Sequence, residues 1–159
     1  MQMNITIRPA QPDDIPAMCD LLADLFSVEA DFDIDTAKQA KGLGMLVEDQ
    51  PGRAFACVAV SGNDIVGMVT AQTLVSTAEG GRVGLVEDVI VDKRFRRRGA
   101  GTLLIEAAIA WSREQGLTRL QLLADRENSQ ALDFYTSRGW AFTKLICLRK
   151  HPRFQPAID

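Results

Sequence analysis

The stretch LVEDVIVDKRFRRRGAGTLLI, residues 85–105, contains the features that decide the fold. Its first third is rich in valine and isoleucine, which is typical of a β-strand. Its last third opens an apolar segment in which Leu104, Ala108 and Trp111 recur at helical spacing. Four arginines lie between these parts: Arg94, Arg96, Arg97 and Arg98. The pattern predicts a strand, a basic glycine-containing loop and a helix, in that order.

A basic loop at the start of a helix predicts an anion-binding site. The first backbone N–H groups of a helix have no intrahelical acceptor, and the helix dipole places partial positive charge there. Gly99 and Gly101 remove side chains that would hold a phosphate away from those groups. Arginine adds bidentate donors for phosphate oxygens. The alternative is a solvated loop whose arginines only keep the surface soluble; two glycines at the junction favour phosphate binding.

Two familiar nucleotide-binding loops do not fit this spacing. A Walker loop has a lysine before its serine or threonine, whereas Thr102 directly follows Gly101. A Rossmann fingerprint has glycine or alanine three residues after Gly101, where this chain has Leu104. The pattern that remains is Arg96-x-x-Gly99-x-Gly101, preceded by a strand.

The composition predicts a single globular domain over residues 1–159, with 47% hydrophobic and 25% charged residues. The net charge of −3 argues against broad nucleic-acid binding. The sequence contains no apolar run long enough to cross a membrane, and its first ten residues lack the order of a signal peptide. We therefore expect a cytoplasmic protein without nucleic-acid or membrane partners.

The cysteines and the histidine predict neither a metal site nor a nucleophile pair. Cys19, Cys57 and Cys147 are far apart in apolar surroundings, which favours buried free thiols over disulfides. We expect Cys57 and Cys147 in strand cores. His151 lies in a polar tail, so no cysteine or serine has an evident base.

The other segments predict one sheet flanked by helices in an α/β or α+β sandwich. Alternating or β-rich runs predict strands over 5–8, 53–60, 65–75, 82–91, 118–124 and 140–149. Helices are expected after an N-cap at Asp13, from about Ile34 to Glu48, from about Gly101 to a stop at Gly116, and over 128–139 with Asn128 as N-cap.

Residues 85–105 resemble the acetyl-coenzyme A loop of the GNAT family of N-acetyltransferases, whose signature is Gln/Arg-x-x-Gly-x-Gly/Ala. The segment NSQALDFYTSRGWAF, 128–142, is similar to a later motif of that family, with Asn, Ala, Tyr and Gly-aromatic at this spacing. The opening IRPAQPDDIPAM, 7–18, is similar to many family N-termini. The resemblance implies a mixed, mostly antiparallel sheet of six or seven strands, splayed between the fourth and fifth and flanked by about four helices.

The resemblance also implies acetyl-CoA as co-substrate, without a metal. The backbone of Val89, Ile90 and Val91 would pair with the pantetheine arm. Asn128 would contact the cofactor near the pantetheine, and Tyr135 would protonate or hydrogen-bond the departing thiolate. The residues whose N–H groups or side chains would hold the pyrophosphate are Arg96, Arg97, Arg98, Gly99, Ala100, Gly101 and Thr102.

Two neighbouring carboxylates are candidates for the base that deprotonates the acceptor amine, since an alkylammonium is nearly all protonated at neutral pH. Strand alternation would place Glu87 and Asp88 on opposite faces, Asp88 together with Val86 and Ile90. The resemblance favours Glu87, acting through water. The alternative is that one of the two forms a salt bridge with a loop arginine.

The expected activity is acetyl transfer to a primary amine of a small molecule or peptide by direct attack on the thioester. A non-catalytic acetyl-CoA sensor or regulatory domain is the alternative, and for Tyr135 the alternative is a core aromatic residue. The acidic run EADFDID, 29–35, with Asp24, could attract a cationic acceptor, although solvated loop charge is the plainer explanation. An uncovered edge after the strand 140–149 favours a homodimer.

Overall fold

The computed structural model describes residues 4–27, 33–50 and 52–152. The chain divides into two compact units, Met1–Leu122 and Leu123–Asp159. The single domain expected from the sequence stays a prediction.

The described residues of the first unit form a sheet of five strands: β1 (Ile5–Pro9), β2 (Ala54–Ser61), β3 (Asp64–Ser76), β4 (Gly81–Val91) and β5 (Leu120–Leu122). Their order in the sheet is β1-β2-β3-β4-β5. Neighbouring strands are antiparallel from β1 to β4, whereas β5 runs parallel to β4. The sheet is therefore mixed and mostly antiparallel, as predicted.

The described residues form four α-helices, in agreement with the number predicted. They are α1 (Ile15–Phe26), α2 (Thr36–Glu48), α3 (Ala100–Glu114) and α4 (Ser129–Thr136), the last in the second unit. Asp14, rather than Asp13, is the N-cap of α1. The Asp14 carboxylate accepts two guanidinium hydrogen bonds from Arg8, at 2.6 and 2.8 Å, and one from the N–H of Gln11 at 2.8 Å. Asp14 thereby fixes the chain at the entry to α1.

The helices of the first unit cover opposite faces of the sheet. On one face, Met18 and Leu22 of α1 belong to the apolar cluster that contains Met68 of β3. On the other face, a Cβ added to Gly67 would lie 3.1 Å from Leu104 Cδ1 of α3. Because successive strand residues point to opposite faces, α1 and α3 lie on opposite sides. Leu104 and Trp111 are buried, as the helical spacing predicts.

The expected sixth strand over 140–149 is wrong. These residues are described and have no strand structure, and the sheet of the described residues has five strands rather than six or seven. Their apolar side chains are largely exposed, among them Phe142, Leu145, Ile146 and Leu148. A β-rich composition forms a strand only where a neighbouring strand pairs with its backbone groups, and residues 140–149 form no ladder with any described strand. Cys147 is consequently exposed, contrary to expectation, whereas Cys19 and Cys57 are buried.

Gly67→Ala is expected to destabilise the first unit by about 1–3 kcal/mol. The added Cβ would lie 2.9 Å from the carbonyl oxygen of Ile90 on β4, so that paired backbone would have to move. Urea unfolding measures the loss. Gly42→Ala in α2 is the matched control, because nothing lies within 4 Å of its added Cβ. There the same change should stabilise by about 0.5–1 kcal/mol, and equal effects at both positions would contradict the packing argument.

Candidate functional site

The loop between β4 and α3 is shaped by two left-handed residues. Arg97 has a φ of 58° and Gly99 a φ of 88°. Among the residues described, Arg97 is the one non-glycine with a positive φ, a conformation that costs about 1–2 kcal/mol. Left-handed Gly99 directly precedes right-handed Ala100, the first residue of α3. Such a pair turns successive N–H groups toward a common point, which makes a concave anion site.

The N–H groups of this loop have no acceptor within the described part of the chain. Before the loop, the N–H of Phe95 donates to the Asp92 carbonyl at 2.8 Å. After it, the N–H of Leu103 donates to the Gly99 carbonyl at 3.0 Å. Between these bonds, no described residue accepts the N–H groups of residues 96–101. The loop therefore presents a row of donors at the N-terminus of α3, as an anion site requires.

The arginine side chains of the loop differ in their surroundings. Arg94 forms an ion pair with Asp92 at 2.7 Å, and its guanidinium carbon lies 5.7 Å from the Phe95 ring centroid. The guanidinium carbon of Arg98 lies 5.6 Å from the same centroid. Asp92 thus balances the charge of Arg94. Among the described residues, no loop arginine forms an ion pair with Glu87 or Asp88. The alternative prediction, a salt bridge between one of these carboxylates and a loop arginine, is therefore wrong.

The last part of β4 has an open edge. β5 pairs only with Gly84–Val86, and no described strand lies on that side of β4 beyond Val86. The N–H of Asp92 donates to the Val66 carbonyl at 2.9 Å, which places the β3-facing hydrogen bonds at Ile90 and Asp92. The N–H and C=O groups of Val89 and Val91 therefore point away from β3, toward the open side.

This edge suits a ligand that carries amide groups, because an extended chain can pair with exposed strand backbone. Val89 and Val91, two of the three backbone positions predicted for the pantetheine arm, are oriented for such pairing. Ile90 instead pairs with Met68 of β3. Arg96 Nε donates to the Val91 carbonyl at 3.0 Å, so the first arginine of the loop motif is tied to the end of the strand.

A β-bulge interrupts β4 beside this edge, where Glu87 and Asp88 together oppose Thr70 of β3. The flanking pairs are Val69 with Val89 and Ala71 with Val86. Directly opposed residues share a face of the sheet, so Val86 and Val89 lie on the same face although two residues separate them. The predicted placement of Asp88 with Val86 is therefore wrong, because the extra residue breaks the alternation. Asp88 shares the face of Thr70, which α1 and α2 cover.

Thr70 and Asp88 are joined by two hydrogen bonds. The Thr70 hydroxyl donates to Asp88 Oδ2 at 2.7 Å and accepts the Asp88 N–H at 3.2 Å. Burial raises the pKa of the Asp88 carboxyl group most strongly; the hydrogen bond from Thr70 lowers that pKa, and the charge of Glu87 raises it. The Glu87 side chain is exposed. A partly buried carboxyl group with a raised pKa is suited to accept a proton during a reaction.

The other predicted site residues belong to the second unit. The side chain of Asn128 accepts the N–H of Ala131 at 3.1 Å and caps α4, as predicted from sequence. Tyr135 is half-buried, and its ring packs edge-on against Phe134 and Trp140, with centroid distances of 5.2 and 5.8 Å. Their roles toward the cofactor and the thiolate stay predictions.

In the acidic run 29–35, one carboxylate has a structural role. The carboxylate of Asp35 caps α2 by accepting the N–H of Lys38 at 3.1 Å. Asp33 is exposed, and Glu29 and Asp31 lie outside the described residues. What is visible of the run thus agrees with solvated loop charge and helix capping.

Residues 4–27, 33–50 and 52–152 carry neither a membrane-crossing helix nor a metal cluster. None of the helices in these ranges has the length and apolar character that crossing a bilayer requires. The same ranges contain no group of three or more His, Cys, Asp or Glu side chains placed to hold a metal ion.

Comparison with known proteins gives consistent matches. A family model described as the acetyltransferase (GNAT) family matches residues 15–140. An uncharacterised N-acetyltransferase of Methanocaldococcus jannaschii is 29% identical over 146 residues, which are 89% of this chain and 62% of that protein. The chain thus spans less than two-thirds of the length of this relative.

Two solved structures share the fold. A transcriptional regulator from Bacillus halodurans has a TM-score of 0.80 and 25% identity, covering 93% of this chain and 99% of its own. An aminoglycoside N-acetyltransferase in complex with CoA has a TM-score of 0.78 and 16% identity, covering 93% and 95%. At that identity, the second likeness concerns the fold alone.

Proposed function

This chain belongs to the acetyltransferase (GNAT) family, and from that premise we propose that it transfers the acetyl group of acetyl-CoA to a primary amine of a small molecule or peptide. The observation that carries the proposal is the row of N–H donors at residues 96–101, for which no described residue is the acceptor. It lies directly after a strand whose outer backbone groups are open. A diphosphate joined to an amide-bearing arm matches both features.

Acetyl-CoA supplies a thioester whose carbonyl carbon is the electrophile. In the proposed reaction the amine nitrogen bonds to that carbon, the C–S bond breaks, and the electron pair leaves with sulfur. Before the attack, one proton of the ammonium passes to a carboxylate of the bulge, and after it the acylated nitrogen loses a second proton to water. The thiolate takes a proton from water, or from Tyr135, which then regains one from water. A backbone N–H of the open part of β4 would polarise the carbonyl oxygen.

The geometry of the bulge supports Asp88 as the base, although the sequence resemblance favours Glu87. Asp88 is held by Thr70 at two points, and burial raises the pKa of its carboxyl group. The exposed Glu87 side chain has no hydrogen-bond partner among the described residues. A base needs a fixed position as well as a suitable pKa. Water between the amine and Asp88 is compatible with this assignment.

A non-catalytic acetyl-CoA sensor is the second candidate, supported by the structural relative described as a transcriptional regulator. Such a domain would need the loop and the open edge but no base. The identity of the acceptor, including its cationic character, stays a proposal. The homodimer and the cytoplasmic location also stay predictions.

Thiol release from acetyl-CoA across a panel of amines tests the proposal. We expect turnover with at least one amine, and Tyr135→Phe should lower kcat about tenfold. The effect is modest because the thiol of coenzyme A, with a pKa of about 8.5, leaves readily as thiolate. Tight acetyl-CoA binding without turnover on any amine would favour the sensor. Equal rates for Tyr135→Phe and the wild-type protein would remove the role of Tyr135 and leave the family assignment intact.

A further inference from the structure

The Thr70 side chain lies opposite the bulge, where its hydroxyl forms two hydrogen bonds with Asp88. Thr70 is fully buried, and it alone opposes the pair Glu87 and Asp88. Its hydroxyl has one proton to donate and two lone pairs that accept. The Asp88 N–H can only donate, so the hydroxyl accepts from that group and gives its single proton to Oδ2. The two bonds close a small ring in which each donor and acceptor is fixed.

We propose that Thr70 is a positioning residue for acetyl transfer: it engages Asp88 Oδ2 and leaves Oδ1 as the atom that takes the proton of the acceptor amine. This inference rests on the proposed function. Because Oδ2 continues to accept the Thr70 hydroxyl after Asp88 is protonated, the new proton resides on Oδ1. The amine thereby loses its proton to a carboxylate oxygen of fixed direction, directly or through one water.

The surroundings of Asp88 isolate the effect of Thr70. Besides burial, the groups that shift the pKa of Asp88 are Thr70, which lowers it, and Glu87, which raises it. Helices α1 and α2 cover this face, and none of their described charged residues is among the groups that shift the pKa of Asp88. These residues are Asp20, Asp24, Lys38, Lys41 and Glu48. Loss of the Thr70 hydroxyl should therefore raise the pKa of Asp88.

The test compares Thr70→Val, which lacks the hydroxyl, with Thr70→Ser, which keeps it. In the full-length protein without ligand, NMR titration of isotope-labelled aspartate carboxyl groups follows Asp88, with Asp88→Asn identifying its signal. We expect Thr70→Val to raise the midpoint by about one pH unit and Thr70→Ser to stay close to the wild-type value. The acid limb of kcat/KM against pH should move by the same amount, because the base must be ionised.

Each outcome decides the inference. An unmoved NMR midpoint in Thr70→Val would overturn it, and so would a moved midpoint with an unmoved acid limb. Thr70→Ala replaces Thr70→Val if the latter does not fold, since both lack the hydroxyl. A wild-type protein that acetylates no amine would instead contradict the proposed function. In that case the NMR titration still decides whether Thr70 holds Asp88.

Discussion

Asp88→Asn should lower kcat/KM for acetyl transfer by about 10²–10⁴-fold while changing the affinity for acetyl-CoA little. Asparagine has nearly the same shape as aspartate, and its amide oxygen can still accept the Thr70 hydroxyl. The bulge should therefore persist, and only the ability to take a proton from the amine is lost. Steady-state kinetics with the best amine of the panel, together with acetyl-CoA titration, separate these effects.

The same substitution should stabilise the fold at neutral pH. The pKa of Asp88 is raised in the folded state, so the folded protein favours the protonated carboxyl group. Ionised Asp88 therefore costs stability, and that cost appears as the pH rises from the unfolded-state pKa through the higher folded-state pKa. The uncharged amide introduced by Asp88→Asn removes this cost. A variant that is more stable and less active would indicate that the buried Asp88 carboxylate costs stability and is retained for its function.

Glu87→Gln is the control for the choice between the two carboxylates. Its side chain is exposed, and we expect a loss of less than about tenfold, since only the repulsion between neighbouring charges changes. Should Glu87→Gln cause the larger loss, the base is Glu87, as the sequence resemblance predicts, and the assignment to Asp88 fails. Full activity in both single variants would show that neither carboxylate of the bulge is the base.

The sequence predicts the strand, loop and helix of the site because each has a local cause. Valines and isoleucines favour β4, glycine permits the left-handed turn at Gly99, and the spacing of Leu104 and Trp111 sets the buried face of α3. The bulge has no such cause. It depends on the register between β3 and β4, which pairing over the whole hairpin decides. The sequence alone therefore does not identify Thr70 as the partner of Asp88, because Thr70 is one threonine in an apolar strand.

The segment 140–149 fails as a prediction for a related reason. Its composition is that of a strand, but composition describes only one partner of a ladder. Cys147 illustrates the consequence, because its expected burial depended entirely on a strand that is not formed. Cys57, on a strand paired along both edges, is buried, and burial raises the pKa of its thiol to about 11.

Gly101→Glu should raise the dissociation constant of acetyl-CoA by roughly a hundredfold while stabilising the protein. Gly101 is the second residue of α3. A carboxylate there interacts favourably with the helix dipole, and replacing glycine in a helix gains about 0.5–1 kcal/mol. We expect this stabilisation to raise the melting temperature of the Gly101→Glu variant by about 2–4 °C. A diphosphate bound at the same N–H groups would meet a like charge, which costs about 3 kcal/mol at about 5 Å.

Gly101→Gln is the matched control, because it adds the same bulk without the charge. Its effect on acetyl-CoA affinity should be about tenfold or less, and the difference between the two variants should shrink at high salt, where the repulsion is screened. Calorimetric titration at low and high ionic strength measures both. Equal losses in the two variants would indicate simple obstruction. Unchanged affinity in Gly101→Glu would mean that the diphosphate does not lie at the start of α3, and the proposed acetyl-CoA site would have to be abandoned.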